Sequence, residues 1–124
     1  SFRRNQLNSM STGMKCNLRT QDQVDILEIS GEVDMQYSPA VREKILESVD
    51  KGRTVLIDLA EVSYIDSSGI ASLIEGLQAA RKANLPYGLL RVSDAATQVL
   101  SLTRLDNVFP MYDSLDEFIS RDQP

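Results

Sequence analysis

The segment TVLIDLA, residues 54–60, sets the strongest limit on the fold. It is nearly continuous in apolar side chains and rich in β-branched ones, the pattern of a strand covered on both faces. Such a strand belongs at the centre of a sheet, so the rest of the chain must supply neighbouring strands and the layers that cover them. The segments on either side have that character.

Before it, KCNLRTQ (15–21) and VDILEIS (24–30) are short strands whose junction, Asp22-Gln23, suits a hairpin. Ser38-Pro39 opens a helix, with Ser38 expected to cap free N–H groups and Pro39 at the first helical position. Val41, Ile45 and Val49 give that helix one buried face, and Gly52 ends it. After residue 60, Ile70, Leu73, Ile74 and Leu77 repeat at helical spacing, with alanines extending the helix to Asn84 before Pro86. YGLLRV (87–92) is another buried strand. Ser93 or Asp94 starts a helix bearing Val99, Leu100 and Leu102. VFPM (108–111) is a last strand, placed at an edge by Pro110, and Ser114-Leu115-Asp116-Glu117 is a capping box opening a helix with Phe118 and Ile119. The order β-β-α-β-α-β-α-β-α predicts an α/β domain with a mixed, mostly parallel sheet of about five strands and four helices. The expected domain runs from 14 to 121. Residues 1–13 are polar and aperiodic and are expected to be a flexible tail or an appended remnant, with Met10 or Met14 as candidate starts.

Composition narrows the chemistry. The 124 residues contain no His, which removes the Ser-His and Cys-His nucleophile pairs and every His-ligated metal site. The single cysteine, Cys16, can form no internal disulfide and no Cys-based zinc site. The commonest hydrolase and metalloenzyme designs are thereby excluded, while lysine or carboxylate chemistry stays open. A net charge of −5 argues against direct nucleic-acid partners and anionic membranes, and no apolar run approaches the ~20 residues that span a bilayer. The expectation is a soluble, cytoplasmic protein.

Between the central strand and the helix lies YIDSSGIA, residues 64–71. Asp66, Ser67 and Ser68 stand where any of them could cap the helix, and Gly69 would let another backbone approach closely. A phosphate-binding loop would need more glycines and a following Lys. A nucleophile elbow would need Gly at position 65, where this chain has Ile65, and a base to activate the hydroxyl. What remains is a hydroxyl at a helix N-terminus, on the loop side where α/β sheets meet their partners. A phosphate there would be tolerated by the helix dipole yet add about 1.5 to 2 negative charges beside Asp66.

Asp66-Ser67-Ser68-Gly69 and Gly31-Glu32-Val33-Asp34, in this order and spacing, with LTRLDNVF (102–109) downstream, resemble the STAS domain of the anti-sigma factor antagonist family. The resemblance covers roughly residues 14 to 121. It implies a non-enzymatic binding module that engages an anti-sigma factor serine kinase, is phosphorylated by it on the first Ser after the Asp, here Ser67, and is restored by a serine phosphatase. Ser68 would support the turn, and the partner-binding residues would be Glu32, Asp34, Asp66, Ser67, Ser68 and Gly69. Asp34 has an alternative role as a solvated or capping loop residue. The chain departs from the family in MQYSPAV (35–41), which replaces a more polar segment, and in Leu105-Asp106, where a Gly-Leu pair is frequent. An alternative within the same fold is an unphosphorylated accessory subunit of a transporter or lipid-trafficking complex.

Overall fold

The computed structural model describes residues 13–123. The expected tail, apart from Gly13, and the candidate start Met10 lie outside the described residues. The described chain runs β1 (Met14–Gln21), β2 (Val24–Val33), α1 (Ser38–Asp50), β3 (Thr54–Ile65), α2 (Ser67–Lys82), β4 (Tyr87–Leu90), α3 (Asp94–Leu102), β5 (Met111–Tyr112) and α4 (Leu115–Arg121). The five strands lie in the order β1-β2-β3-β4-β5. The β1–β2 hairpin is antiparallel, and the other three pairings are parallel. The α/β reading of the sequence therefore holds in element order and in sheet type.

TVLIDLA does occupy the middle of the sheet, and its alternation divides the core. Val55, Ile57 and Leu59 belong to a large cluster with Val41 and Ile45 of α1, Leu73 and Leu77 of α2, and Leu100 of α3. Leu56 points the other way, into a smaller cluster with Val24, Ile26, Leu90, Tyr112 and Phe118 of α4. Burial of side chains of this size stabilises by about 1.5–3 kcal/mol each, so three helices are held on one face and a single short one on the other. Beyond α4 the second face turns polar. Asp58 is buried there and accepts hydrogen bonds from Arg91 Nε (3.1 Å) and Nη2 (2.7 Å).

At the opposite end of the strands a second buried carboxylate ties β2 to α1. Asp25 accepts hydrogen bonds from the Ser48 hydroxyl (2.6 Å), Arg53 Nε (2.6 Å) and the Thr20 hydroxyl (3.0 Å). Burial alone would raise its pKa, but these donors outweigh it and hold the carboxyl below its ordinary value.

Several boundaries differ from expectation for local reasons. β3 continues to Ile65 instead of ending at Ala60, because β2 is long enough to pair with it through Val33↔Ile65. β4 stops at Leu90, where Arg91 takes a φ of +48°. The final strand is Met111–Tyr112, not 108–111, since Phe109 is drawn into the large cluster and Pro110 lacks an N–H. It does lie at the sheet edge. α2 ends at Lys82, and Asn84 follows with a φ of +58°. Ser38 lies within α1 and Tyr37 takes the capping position without a side-chain bond, so the expected Ser38 cap is absent.

Candidate functional site

The parallel strands β2 and β3 end side by side, and their two exits meet. β2 leads into the loop 34–37, and β3 leads through Asp66 into α2. The Asp66 N–H donates to the Val33 carbonyl (3.2 Å), which joins the two exits directly. Asp66 is the N-cap of α2, in extended conformation. Its Oδ1 accepts from the N–H groups of Ser68 (2.9 Å) and Gly69 (3.1 Å) and from the Ser68 hydroxyl (2.6 Å). The backbone N–H of Met35, in the neighbouring loop, also favours the ionised form of this carboxylate.

These donors fix the charge state. The Ser68 hydroxyl has the largest effect, partial burial opposes it, and the three backbone N–H groups add to it; together they hold the Asp66 carboxyl below its usual range. Asp66 is thus an anion at neutral pH whose charge is spent on the turn itself.

The two serines consequently differ. Ser68 is half-buried, its hydroxyl bound to Asp66 and its carbonyl accepting the Ser72 hydroxyl (3.2 Å). Ser67 is exposed at the first position of α2, and among the described residues its hydroxyl has no hydrogen-bond partner. Of the three candidate caps, Asp66 caps, Ser68 braces and Ser67 is displayed.

Gly69 is explained by packing. A Cβ there would stand 2.8 Å from the Val33 carbonyl oxygen and 2.7 Å from Ile65 Cγ1, so only glycine lets the first turn of α2 press against the end of β2. The close backbone approach expected from the sequence is the approach of Val33.

The Gly-Glu-Val-Asp stretch forms the other half. Gly31 has a φ of +89°, in the region that favours glycine. Glu32 is exposed and lies in register with Tyr64, while Val33 is buried. Asp34 is half-buried and shapes its own loop: Oδ1 accepts from the N–H groups of Gln36 (3.0 Å) and Tyr37 (3.3 Å). Its carbonyl accepts from Tyr37 (3.1 Å) and Ser38 (2.8 Å). Of the two roles open to Asp34, loop formation is the one these bonds describe. All six candidate residues gather at the joined ends of β2 and β3.

Three further residues join them. Ser72, buried, donates its hydroxyl to the Ser38 carbonyl (3.0 Å) and so ties α2 to the start of α1. Met35, in the loop after β2, is 77% exposed, and Tyr64, near the end of β3, is 50% exposed. The replacement of a polar segment by MQYSPAV was the sequence signal for Met35; Tyr64 carried none, since an aromatic at a strand end is ordinarily read as core.

Among the described residues no group of three or more His, Cys, Asp or Glu side chains could hold a metal, and no helix is long and apolar enough to cross a membrane.

Comparison with known proteins agrees with this construction. An anti-sigma-B factor antagonist of Listeria monocytogenes is 29% identical over 100 residues, 80% of this chain and 87% of that protein. The crystal structure of an anti-sigma factor antagonist from Mycobacterium paratuberculosis superposes with a TM-score of 0.74 at 26% identity, covering 87% of this chain and 92% of that one. The antagonist SpoIIAA shares the fold at 20% identity: its unphosphorylated form gives a TM-score of 0.73 over 86% of this chain and 95% of its own, and its phosphorylated form 0.67 over 88% and 100%. The STAS domain family profile matches residues 15–118. With a match that spans nearly the whole described chain, and with both of its signature turns meeting at one end of the sheet, this chain belongs to the STAS domain family.

Proposed function

We propose that this chain is an anti-sigma factor antagonist whose binding surface is switched off by phosphorylation of Ser67. The observation that carries the proposal is the division between the two serines: Ser67 offers an exposed hydroxyl with no partner among the described residues at the start of α2, while Asp66 and Ser68 occupy each other. A kinase needs an acceptor it can reach without dismantling the turn, and Ser67 meets that requirement where Ser68 does not.

The same arrangement predicts the form of the modified state. The N–H groups of Ser68 and Gly69 already donate to the Asp66 carboxylate, and that of Ile70 donates to the Asp66 carbonyl (3.0 Å). A phosphate on Ser67 finds these donors occupied and projects into solvent, adding about 1.5 to 2 negative charges to the surface. Binding to the anti-sigma factor is then lost without unfolding of the site. The kinase holds the nucleotide and metal, a serine phosphatase resets the chain, and the chain itself supplies an acceptor and a surface, in the cytoplasm, with no cofactor. The names of the Listeria and Mycobacterium relatives and the two forms recorded for SpoIIAA support this reading.

The test is incubation with a kinase-type anti-sigma factor from the source genome and ATP, followed by intact and tandem mass spectrometry. One phosphate is expected, on Ser67, and Ser67→Ala should remain unlabelled. Labelling of Ser68, or of Ser67→Ala, contradicts the assignment.

A further inference from the structure

β3 carries two irregularities between the middle of the sheet and the turn at 66–69. Glu28 pairs with Asp58 and Ser30 with Glu61, so Ile29 alone stands against Leu59 and Ala60. Gly31 then pairs with Val62 and Glu32 with Tyr64, which leaves Ser63 as a second extra residue. Over this stretch β2 runs from 28 to 33 while its partner runs from 58 to 65. Only with both extra residues in place do Val33 and Ile65 come into register and the Asp66 N–H reach the Val33 carbonyl.

A bulge takes backbone groups out of the ladder, and those groups need partners elsewhere. The Ala60 N–H donates to Asp58 Oδ1 (3.0 Å). The Leu59 carbonyl accepts the Ser93 N–H (3.2 Å), and the Val62 carbonyl accepts the Ser93 hydroxyl (2.7 Å). The first bulge is thus served by Asp58 from within β3 and by Ser93 from the start of α3.

Asp58 is itself held in place. It is buried, and its Oδ2 accepts from Arg91 Nε and Nη2, which leaves Oδ1 to the Ala60 N–H. Arg91 keeps that pairing with a φ of +48°, in the region that favours glycine. Such a conformation persists only where its surroundings over-determine it. The carboxylate cannot turn away from the bulge without giving up both bonds to Arg91.

We infer that Asp58 is a positioning residue for Ser67: by holding the Ala60 N–H it fixes the first bulge, and the bulge sets the register in which Asp66 meets Val33 and α2 begins. This rests on the proposed function of Ser67. None of the hydrogen bonds of Asp58 reaches the turn, so its effect passes along the strand. A slip of one residue moves a strand by about 3.3 Å and turns each side chain to the opposite face. Either Ile65 would leave the large cluster or Asp66 would miss the Val33 carbonyl, and in both cases α2 would start from a different place relative to the end of β2.

The test separates the acceptor role of Asp58 from its ion pair and from stability in general. Arg91→Gly removes the guanidinium and suits the backbone; in that background Asp58→Asn keeps an oxygen for the Ala60 N–H and Asp58→Ala does not. Asp25→Ala removes the other buried carboxylate, at the far end of the strands, and is the control for lost stability. Each isotope-enriched chain is read, below its melting temperature, by nuclear Overhauser contacts between Val33 and Ile65 and by amide exchange at Asp66. The third reading is the initial rate of Ser67 phosphorylation by the purified kinase-type anti-sigma factor of the source genome with Mg-ATP. Arg91→Gly, alone or with Asp58→Asn, should keep the Val33–Ile65 contacts and a phosphorylation rate within about threefold of wild type. Asp58→Ala with Arg91→Gly should lose those contacts, exchange the Asp66 amide about tenfold faster or more, and slow phosphorylation by about as much. Asp25→Ala should lower the melting temperature and leave all three readings unchanged.

The inference is overturned if Asp58→Ala keeps the Val33–Ile65 contacts, if Asp58→Asn loses them as fully, if Asp25→Ala disturbs Asp66 equally, or if the contacts are lost with phosphorylation unchanged. Should the alanine variant not fold, the wild type decides. A scalar coupling between the Ala60 nitrogen and the Asp58 carboxyl carbon supports the role, and its absence together with free exchange of the Ala60 amide overturns it. A wild-type chain that takes no phosphate overturns the proposed function alone, because the Overhauser and exchange readings do not involve the kinase.

Discussion

The turn at 66–69 and the loop at 34–37 are both organised by an aspartate, yet the two carboxylates work over different ranges. Asp34 accepts only from residues two and three positions ahead of it, so it shapes one loop. Asp66 accepts within its own helix start and also donates its backbone N–H to the Val33 carbonyl across the gap (3.2 Å). One Asp shapes a segment, and the other joins two. The local chemistry is the same in both cases, and the difference arises because β2 and β3 are parallel neighbours that end together.

Substitutions can break that contrast, beginning with the tightest contact. Gly69→Ala should be the most damaging, because its Cβ meets the Val33 carbonyl at 2.8 Å and neither backbone can yield cheaply; about 2–3 kcal/mol should be lost in denaturant titration. Asp66→Ala removes the cap and the charge that the Met35 backbone N–H favours, and should cost about 1–2 kcal/mol in the same assay, with faster amide exchange at Ser68 and Gly69 and a smaller effect at Met35. Asp34→Ala should cost about 0.5–1 kcal/mol and accelerate exchange only at Gln36 and Tyr37. Exchange that spreads equally in both variants would erase the distinction between shaping and joining. Ser67→Ala should alter stability by no more than about 0.5 kcal/mol, since its hydroxyl bonds to nothing among the described residues.

Acid titration sharpens the same comparison. The folded pKa of Asp66 lies below its unfolded value, near 3.9, so its stabilisation is complete above the unfolded pKa and is lost as pH falls through the folded one. Asp25 is shifted in the same direction and contributes in the same acid window. Asp66→Ala should therefore flatten, without abolishing, the fall in melting temperature below about pH 4.

Much of this was legible in the sequence because one cause dominated each element. The unbroken apolar run of β3 fixed a central strand, and of the capping box expected at Ser114 and Glu117 the structure forms one half: Ser114 Oγ accepts the Glu117 N–H at 3.1 Å, while Glu117 Oε1 accepts the Asp113 N–H (2.7 Å) in place of that of Ser114. Ser93 likewise caps α3 by accepting the Ala96 N–H at 3.2 Å. What escaped depended on tertiary neighbours. Ser38 had the composition of a cap, but the chain entering it was already folded by Asp34. VFPM had strand composition, yet Phe109 was worth more in the core than in a ladder. At the site, the sequence could not choose among Asp66, Ser67 and Ser68, since all three are good caps; only the shared hydrogen bonds of Asp66 and Ser68 distinguish the displayed hydroxyl. Tyr64 was hidden because exposure at a strand end depends on what lies opposite.

The sheet has one property with a bearing on how it is made. Its spatial order repeats the order of the chain, so no strand has to be inserted between two that are already paired. Each strand leaving a ribosome can add to the edge left by the one before it, beginning with a hairpin whose contacts are all local. The growing edge is finally closed by two residues, Met111 and Tyr112, preceded by a proline that cannot donate to a further strand. A chain released before Tyr112 and Phe118 would retain its first four strands but leave Leu56 and Leu90 uncovered, a form that quality-control proteases could recognise.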